Sequence, residues 1–493
     1  MTKPARTIMI QGTASSVGKS LVTTALCRIW ARRGLRVAPF KSQNMALNSA
    51  VTPDGGEIGR AQWAQAEAAR ARPHVDMNPI LLKPESTSAS QVVVLGKPIG
   101  SMHFGAYHRQ KPELRGVVGA ALDRLRAAYD LVVIEGAGSP AEVNLKDRDL
   151  VNMWVAERAD APVVLVTDIE RGGALAAIVG TLALLEDHER ARVQAIIVNK
   201  FRGDPALFVD GVKFLEARTG VHVAGVIPHL GDARIASEDS LDLVPARSGQ
   251  GARTIAIVKL PRLSNFDEFE PLQRMSSLRV RFVERPDELA DAALVIVPGT
   301  KCTVADLAWL RQTGLAGALV ARAAAGGAIL GICGGYQMLG ERISDPDGVE
   351  SREPDVAGLG LLPVETIFQR DKVTHPVRVR LGDGVPLLDG AGGQTLAGYE
   401  IHCGRVAMTQ DAAGQGARPF ARVVSRGDDA ADEREGCIRG AVAGTLVHGL
   451  FENELVRAVI DGDAGSASDP YETLADHFER ALDMRHLDSL VGL

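Results

Sequence analysis

Residues 8–20 read Ile-Met-Ile-Gln-Gly-Thr-Ala-Ser-Ser-Val-Gly-Lys-Ser. The apolar run 8–10 predicts a buried strand, and the small residues from Gly12 onward predict a loop. A helix is expected after Ser20, because apolar residues recur at helical spacing at positions 22, 25, 26, 29 and 30. Backbone N–H groups of such a loop approach an anion closely, and the helix N-terminus adds positive potential. The stretch therefore predicts a phosphate-binding loop.

The loop residues have distinct expected roles. Gly12, Thr13 and Gly18 shape the cradle, Lys19 reaches the outer phosphates, and the Ser20 hydroxyl ligates Mg²⁺. Five residues separate the two glycines, whereas the common phosphate loop has four. The pattern Gly-Thr-x-x-x-Val-Gly-Lys-Ser resembles the loop of dethiobiotin synthetases and their relatives. That resemblance implies ATP as the nucleotide and a carboxylate as the group that it activates.

Composition narrows the class of protein. The chain has 493 residues, 46% of them hydrophobic, which is enough for two or three globular domains. A formal net charge of −6 and an aromatic content of 4% give no support for a nucleic-acid surface. No apolar run approaches the ~18 residues of a membrane span, and no N-terminal signal is visible. Five cysteines without a C-x-x-C pair indicate reduced thiols, so we expect a cytoplasmic protein.

Short apolar runs alternate with helical stretches along the first half of the chain. The predicted strands are 37–40, 131–135, 163–167, 196–198 and 223–227, and the predicted helices include 174–185 and 205–218. This alternation predicts an α/β fold with a doubly wound parallel sheet over residues 1–245. A Gly- and Ser-containing stretch, 245–251, is predicted to be a linker.

The alternation restarts after the linker, with predicted strands at 255–258, 278–283 and 294–297 and a helix from 304. A second doubly wound domain is therefore expected over 252–460. Residues 461–493 are expected to form a helical tail, with one or two helices between 471 and 484.

Polar residues follow several predicted strands of the first half. Glu135 ends its strand and is expected to bind Mg²⁺, although a solvated strand end is the plainer interpretation. Asn199 is placed to read a purine edge. The polar stretch 41–62 is expected to be a loop that faces a ligand, unless it is a surface turn cluster. Asp54 in that loop is assigned as a further metal ligand.

A second candidate site lies in residues 328–340, Ala-Ile-Leu-Gly-Ile-Cys-Gly-Gly-Tyr-Gln-Met-Leu-Gly. A buried strand ends at Cys333, and the following glycines permit a sharp turn into a helix, as in a nucleophile elbow. The helix N-terminus stabilises negative charge on the sulfur. The backbone N–H of Gly334, with Gly299 at a neighbouring strand end, is expected to form an oxyanion hole. Cys333 is therefore the predicted nucleophile.

A thiol nucleophile requires a base, and two histidines compete for that role. His448 ends an apolar strand before a glycine and is preferred, whereas His402 is equally compatible with a structural role. Cys333 in its glycine-rich turn, together with His448, resembles the class I, triad-type glutamine amidotransferase domain. That resemblance implies glutamine hydrolysis through a thioester, with release of ammonia.

One position departs from the residue pattern of that domain. The standard domain carries a Glu two residues after the His, and here Leu450 occupies the position. Another group must then orient the imidazole. Glu452 is near in sequence, but nothing in the sequence assigns it to this role.

The order of the two halves narrows the choice of families that the chain resembles. With segments 42–49, 59–62, 78–84 and 135–142, the chain resembles the glutamine-dependent amidotransferases of cobalamin biosynthesis. The resemblance implies ATP- and L-glutamine-dependent amidation of a corrinoid, at the b, d, e and g carboxylates of adenosylcobyrinic acid a,c-diamide. Two alternatives remain open: synthesis of the a,c-diamide itself, and a partition-type P-loop ATPase with an inactive amidotransferase domain.

Overall fold

A computed structural model describes residues 4–85, 88–230, 253–461 and 469–493. The chain forms two compact units, which are considered separately. The first contains described residues 4–46, 58–230 and 469–493, and the second contains 47–57 and 253–461. The segment 47–57 therefore belongs to the second unit, and the predicted C-terminal tail belongs to the first. The predicted linker, 245–251, lies outside the described residues.

The strands are β1 (Arg6–Gly12), β2 (Val37–Phe40), β3 (Gln43–Met45), β4 (Ser49–Val51), β5 (Glu57–Gly59), β6 (Ile80–Pro84), β7 (Ala89–Val94), β8 (Lys97–His103), β9 (Leu131–Glu135), β10 (Val163–Asp168), β11 (Val193–Phe201), β12 (His222–Pro228), β13 (Arg253–Val258), β14 (Leu278–Val283), β15 (Leu294–Val297), β16 (Ala328–Ile332), β17 (Arg342–Ser344), β18 (Asp355–Ala357), β19 (Val364–Leu381), β20 (Thr395–Met408), β21 (Ala421–Arg426), β22 (Asp429–Glu435), β23 (Cys437–Arg439), β24 (Val442–Thr445) and β25 (Val447–His448).

The α-helices are α1 (Lys19–Arg32), α2 (Arg60–Ala68), α3 (Phe104–Ala128), α4 (Met153–Ala159), α5 (Ala174–Leu184), α6 (Asp187–Arg190), α7 (Val209–Thr219), α8 (Glu270–Gln273), α9 (Thr303–Gln312), α10 (Leu315–Ala324), α11 (Gly334–Leu339), α12 (Glu454–Asp461), α13 (Pro470–Ala481) and α14 (Met484–Leu490). Short 3₁₀ helices include Val143–Arg148, Phe266–Phe269 and Leu450–Glu452. Among the described residues, no helix is both long and apolar enough to cross a bilayer.

The first unit is built on a parallel sheet in the order β12-β11-β10-β1-β9-β2. Its strands are runs of buried apolar residues, as expected for a sheet with helices on both faces. Because β1 lies between β9 and β10, the loop after β1 and the carboxyl end of β9 meet at one edge. The doubly wound prediction is confirmed for this unit.

The polar stretch 41–62 is more regular than predicted. It contains β3, β4 and β5 and the start of α2. Strand β3 pairs in parallel with β6, in a small sheet ordered β3-β6-β7-β8. The prediction of a continuous loop was wrong, because backbone groups in this polar stretch find partners on distant strands, and composition alone does not reveal that pairing.

The second unit contains a six-stranded sheet in the order β14-β13-β15-β16-β24-β23, parallel except at β23. It also contains a second, largely antiparallel sheet, formed by β17 to β22 and β25, that the sequence analysis does not predict. His448 ends the short strand β25 of this second sheet, where it lies opposite Tyr399 of β20.

Candidate active sites

The loop between β1 and α1 has the geometry of a phosphate cradle. Gly18 has φ +98°, and a Cβ at Gly12 would lie 2.6 Å from Cγ2 of Val17 and 3.0 Å from Nζ of Lys19. Both positions therefore require glycine. The Lys19 Nζ donates hydrogen bonds to the carbonyl oxygens of Ala14 (2.9 Å) and Gly138 (3.1 Å), so the ammonium lies over the loop.

Two side chains brace this loop. The Asn199 amide, 4% exposed, donates to the Val17 carbonyl oxygen at 2.9 Å. The Thr13 hydroxyl donates to that of Thr167 at 3.0 Å. Asn199 thus lies against the predicted nucleotide loop, and its reading of a purine edge stays a prediction.

Ser20 and Glu135 lie side by side at the sheet edge. The Ser20 hydroxyl donates to Oε1 of Glu135 at 2.8 Å, and Nζ of Lys41 donates to the same oxygen at 2.9 Å. Glu135 is fully buried, and its other oxygen accepts from the Gln65 amide at 2.5 Å. A hydroxyl and a carboxylate at a phosphate loop are the oxygen ligands that Mg²⁺ prefers, so these residues fit the metal. Asp54, by contrast, is an exposed turn residue of the second unit.

The turn after β16 holds Cys333 in a strained conformation. Its φ is +49° and ψ is −110°, values that non-glycine residues rarely adopt and that cost about 1–3 kcal/mol. A Cβ at Gly335 would lie 1.8 Å from the Val297 carbonyl oxygen, and one at Gly334 would lie 2.7 Å from Cγ2 of Thr300. The two glycines therefore let α11 start directly against neighbouring backbone, as a nucleophile elbow requires.

Cys333 and His448 lie together, as predicted. The His448 imidazole is within hydrogen-bonding reach of the Cys333 thiol. A Cβ at Gly299 would lie 3.0 Å from Cε1 of His448 and 3.7 Å from Cβ of Cys333, so Gly299 borders the same site. The ring of Tyr399 stacks on the imidazole, with centroids 5.3 Å apart. The Cys–His pair is therefore held between a glycine strand end and an aromatic face.

Glu268 orients this histidine. Its Oε1 lies 3.0 Å from Nδ1 of His448, and its Oε2 accepts from the backbone N–H of Gly449 at 3.2 Å. Both side chains of the pair are 1% exposed. Burial by itself lowers the pKa of His448, but the Glu268 carboxylate and the Cys333 sulfur together raise that pKa to about 10. The arrangement favours an imidazolium beside the Cys333 sulfur.

Sequence reasoning missed Glu268. The residue lies on the 3₁₀ helix Phe266–Phe269, 180 positions before His448. Its one sequence signal is a pair of acids, Asp267 and Glu268, between two phenylalanines, and this pattern does not point to a histidine. The competitor His402 makes a short contact, 2.7 Å, between its Nδ1 and the Gly404 carbonyl oxygen, and burial lowers its pKa.

A cavity of about 580 Å³ opens beside the nucleophile turn. Tyr336 of α11 and Glu400 and His402 of β20 line it, and Ile401 between the latter two offers its carbonyl oxygen 3.7 Å from the Cys333 sulfur. Arg426 in the wall pairs with Glu400 at 2.8 Å. The cavity is thus polar, charged and large enough for an amino acid.

Comparison with known proteins accounts for both halves. Residues 8–243 match the CobQ/CobB/MinD/ParA nucleotide binding domain, and residues 254–456 match the CobB/CobQ-like glutamine amidotransferase domain. A cobyric acid synthase of Sorangium cellulosum is 55% identical, over 99% of each chain. One of Chloroflexus aggregans is 49% identical, over 99% of each chain, and one of Pelotomaculum thermopropionicum is 51% identical, over 93% of this chain and 87% of that one.

The chain belongs to the cobyric acid synthase family. Members are glutamine-dependent amidotransferases of cobalamin synthesis, so the chain is a carbon–nitrogen ligase with a nucleotide-binding half. Each of the two matched domains contains one of the two sites described above. The catalytic roles of individual residues stay predictions.

Proposed function

We propose that the chain uses ATP and L-glutamine to amidate the b, d, e and g carboxylates of adenosylcobyrinic acid a,c-diamide. The observation that carries this proposal is the joint presence of a phosphate loop and a Cys–His–Glu arrangement in a chain of this family. A carboxylate reacts poorly with ammonia, so one site must activate the acid while the other supplies nitrogen.

At the glutaminase site, the Cys333 thiolate attacks the side-chain amide carbon of glutamine. His448 gives its proton to the departing nitrogen, so ammonia leaves and a thioester remains. Water, deprotonated by His448, then attacks the thioester carbon, which releases glutamate and restores the thiolate. The backbone N–H of Gly334 and the Gly299 strand end are the proposed stabilisers of the tetrahedral oxyanion. Glu268 holds Nδ1 of His448, so Nε2 is the nitrogen that exchanges protons with substrate.

At the synthetase site, a carboxylate oxygen of the corrinoid attacks the γ-phosphorus of ATP. The bond between the γ-phosphorus and the bridging oxygen breaks, ADP leaves, and an acyl phosphate forms. Ammonia then attacks the acyl carbon, phosphate leaves, and the nitrogen loses a proton to give the amide. Lys19 and the loop N–H groups stabilise charge on the phosphoryl group. Mg²⁺, held by Ser20 and Glu135, would neutralise phosphate charge when bound.

The two alternative functions predict different products. Formation of the a,c-diamide would require the enzyme to accept cobyrinic acid, and a partition-type ATPase would release no glutamate from glutamine. Offering both corrinoids to the pure protein with ATP and glutamine, and counting the added amides by mass spectrometry, tests the proposal. We expect amides at b, d, e and g of the a,c-diamide; amidation only of cobyrinic acid, or none, would contradict it.

A further inference from the structure

A second cavity, of about 290 Å³, lies in the first unit beside the phosphate loop. Its walls come from β3, from α3 and from the segment 137–153. Gly138 in the wall accepts the hydrogen bond from Nζ of Lys19, at 3.1 Å. A group bound in this space, which we call the acceptor cavity, therefore lies next to the lysine that faces the outer phosphates.

The wall of the acceptor cavity is preformed. The Asn152 side chain accepts from the Ala137 N–H (3.2 Å) and donates to the Ala137 carbonyl oxygen (2.8 Å). The Ser42 hydroxyl donates to the Leu150 carbonyl oxygen at 2.6 Å. Asn152 thus holds the two ends of the segment after β9 together, and Ser42 fixes that segment to the loop after β2, so side chains of the protein itself hold the wall in place.

The cavity has two cations available for an anion. Lys111 and Arg148 line it, and neither side chain has an ion-pair partner in the ranges that the structure describes. The third lining cation, Lys146, is already neutralised by Glu189 at 2.8 Å and by Glu186 at 2.6 Å.

Three acids also line the cavity, Glu142, Asp149 and Glu189, and equal the three lining cations in number. The Asp149 carboxylate accepts from the backbone N–H groups of Val151, Asn152 and Trp154, at 2.8–3.0 Å. Glu189 is paired with Lys146, and Glu142 is exposed. The formal charges of the lining residues therefore balance, and a carboxylate ligand would bind through local contacts with Lys111 and Arg148 rather than through net positive charge.

The same cavity presents apolar surface. Met45 and Leu145 line it and are 46% and 47% exposed, which is high for large apolar side chains beside a polar cleft. A ligand with carboxylates on an apolar frame matches this combination. The volume suits one side-chain arm of such a ligand and is too small for a whole macrocycle.

We propose that the acceptor cavity binds a carboxylate-bearing side chain of the corrinoid, with Lys111 and Arg148 attracting the carboxylates and Met45 and Leu145 contacting the apolar ring edge. This inference rests on the proposed function and names its substrate-binding residues. Each amidation removes one negative charge, so the attraction to the two cations falls as the reaction proceeds. The fully amidated product is then bound more weakly than the a,c-diamide, which favours its release.

The test measures binding of the a,c-diamide without ATP or glutamine, by equilibrium dialysis read from the corrinoid absorbance. We expect Lys111→Gln and Arg148→Gln each to raise Kd about tenfold, and the double variant to raise it more. Raising the salt concentration should weaken binding to the wild type more than to the double variant. Arg109→Gln is the matched control, because Arg109 is an exposed cation of the same helix that does not line the cavity; its Kd should be unchanged.

The outcomes separate the two proposals. Each variant is checked for an unchanged Kd for ATP in the absence of corrinoid and for unchanged glutaminase activity, which shows that both units are folded. If the wild type amidates the a,c-diamide but the double variant binds it with an unchanged Kd, the acceptor cavity is refuted and the proposed function stands. If the wild type neither binds nor amidates the a,c-diamide, both proposals fall.

Discussion

The two glycine-rich turns of this chain share one local plan and differ in where they place strain. In each, a buried parallel strand ends, a turn of small residues follows, and a helix begins. At the first turn the left-handed residue before the helix is Gly18, φ +98°, so the strained position presents backbone only. At the second it is Cys333, φ +49°, so the strain presents a side chain.

The difference shows how one strand–turn–helix plan gives two kinds of chemistry. A turn with glycine at the strained position exposes N–H groups and binds an anion. A turn with cysteine there exposes a sulfur, and the glycines follow it because Gly334 and Gly335 must pack against neighbouring backbone. Each turn is completed by an acid from elsewhere in its own unit, Glu135 for the first and Glu268 for the second.

The variant with the largest expected effect loses the activity of the second turn and keeps that of the first. Cys333→Ala should abolish glutamine-dependent amidation, a loss of at least about 10⁴-fold, because no other group can form the thioester. Amidation with added ammonium salt should persist, since the phosphate loop is untouched. Product formation with each nitrogen source measures this, and normal use of glutamine by the variant would exclude Cys333 as the nucleophile.

The reciprocal change is Lys19→Ala. It should reduce amidation with either nitrogen source by about 10²- to 10³-fold, because charge on the transferring phosphoryl group loses its cation. Glutamate release from glutamine, measured by itself, should survive in this variant. Unchanged ATP-dependent synthesis would remove Lys19 from the synthetase site.

Glu268→Gln tests the role of the acid at the second turn. Loss of the carboxylate leaves Nδ1 of His448 without its charged partner, so glutaminase activity should fall about 10²- to 10⁴-fold. Ammonia-dependent amidation should be unaffected. Glu452→Gln is the control, because Glu452 is exposed and Glu268 is the acid bonded to His448; activity equal to that of the control would refute the role of Glu268.

The pH dependence of the same variant gives a second measurement. In the wild type the His448 pKa is raised to about 10, so the imidazolium persists below that pH and is lost as pH rises through it. Without the Glu268 charge this pKa falls. The alkaline limb of kcat/KM for glutamine should therefore move to lower pH in Glu268→Gln, and an unmoved limb would contradict the ion-pair assignment.

Asn199→Ala should have the smallest effect. The buried amide loses one hydrogen bond to Val17, worth about 1 kcal/mol, so KM for ATP should rise only about three- to tenfold. Comparing ATP with GTP separates the two roles of Asn199. If Asn199 only braces the loop, the variant keeps the wild-type preference for ATP over GTP. If Asn199 reads a purine edge, as predicted, the variant has a reduced preference for ATP. A KM equal to that of the wild type would exclude both.

Local patterns predicted the strands on which the sites depend. β2, β9, β14 and β15 have the predicted bounds, because apolar runs between turn residues fix buried parallel strands. The antiparallel sheet of the second unit was missed, since β19 alternates exposed and buried residues near its ends, β22 is mostly exposed, and both resemble solvated loops in composition. His448 belongs to that sheet, so its position beside Cys333 followed from the family resemblance and a strand-end signal rather than from a predicted topology.

The sequence by itself determined both turns, the candidate nucleophile and lysine that they carry, and the family of the chain, because glycine spacing and residue order are local properties. The tertiary structure decided which acid serves the second turn and which segments enclose the acceptor cavity. Glu268 lies 180 residues from its histidine, and the cavity joins β3, α3 and the segment 137–153. Such contacts arise from the packing of distant segments, and side-chain periodicity along the chain carries no record of them.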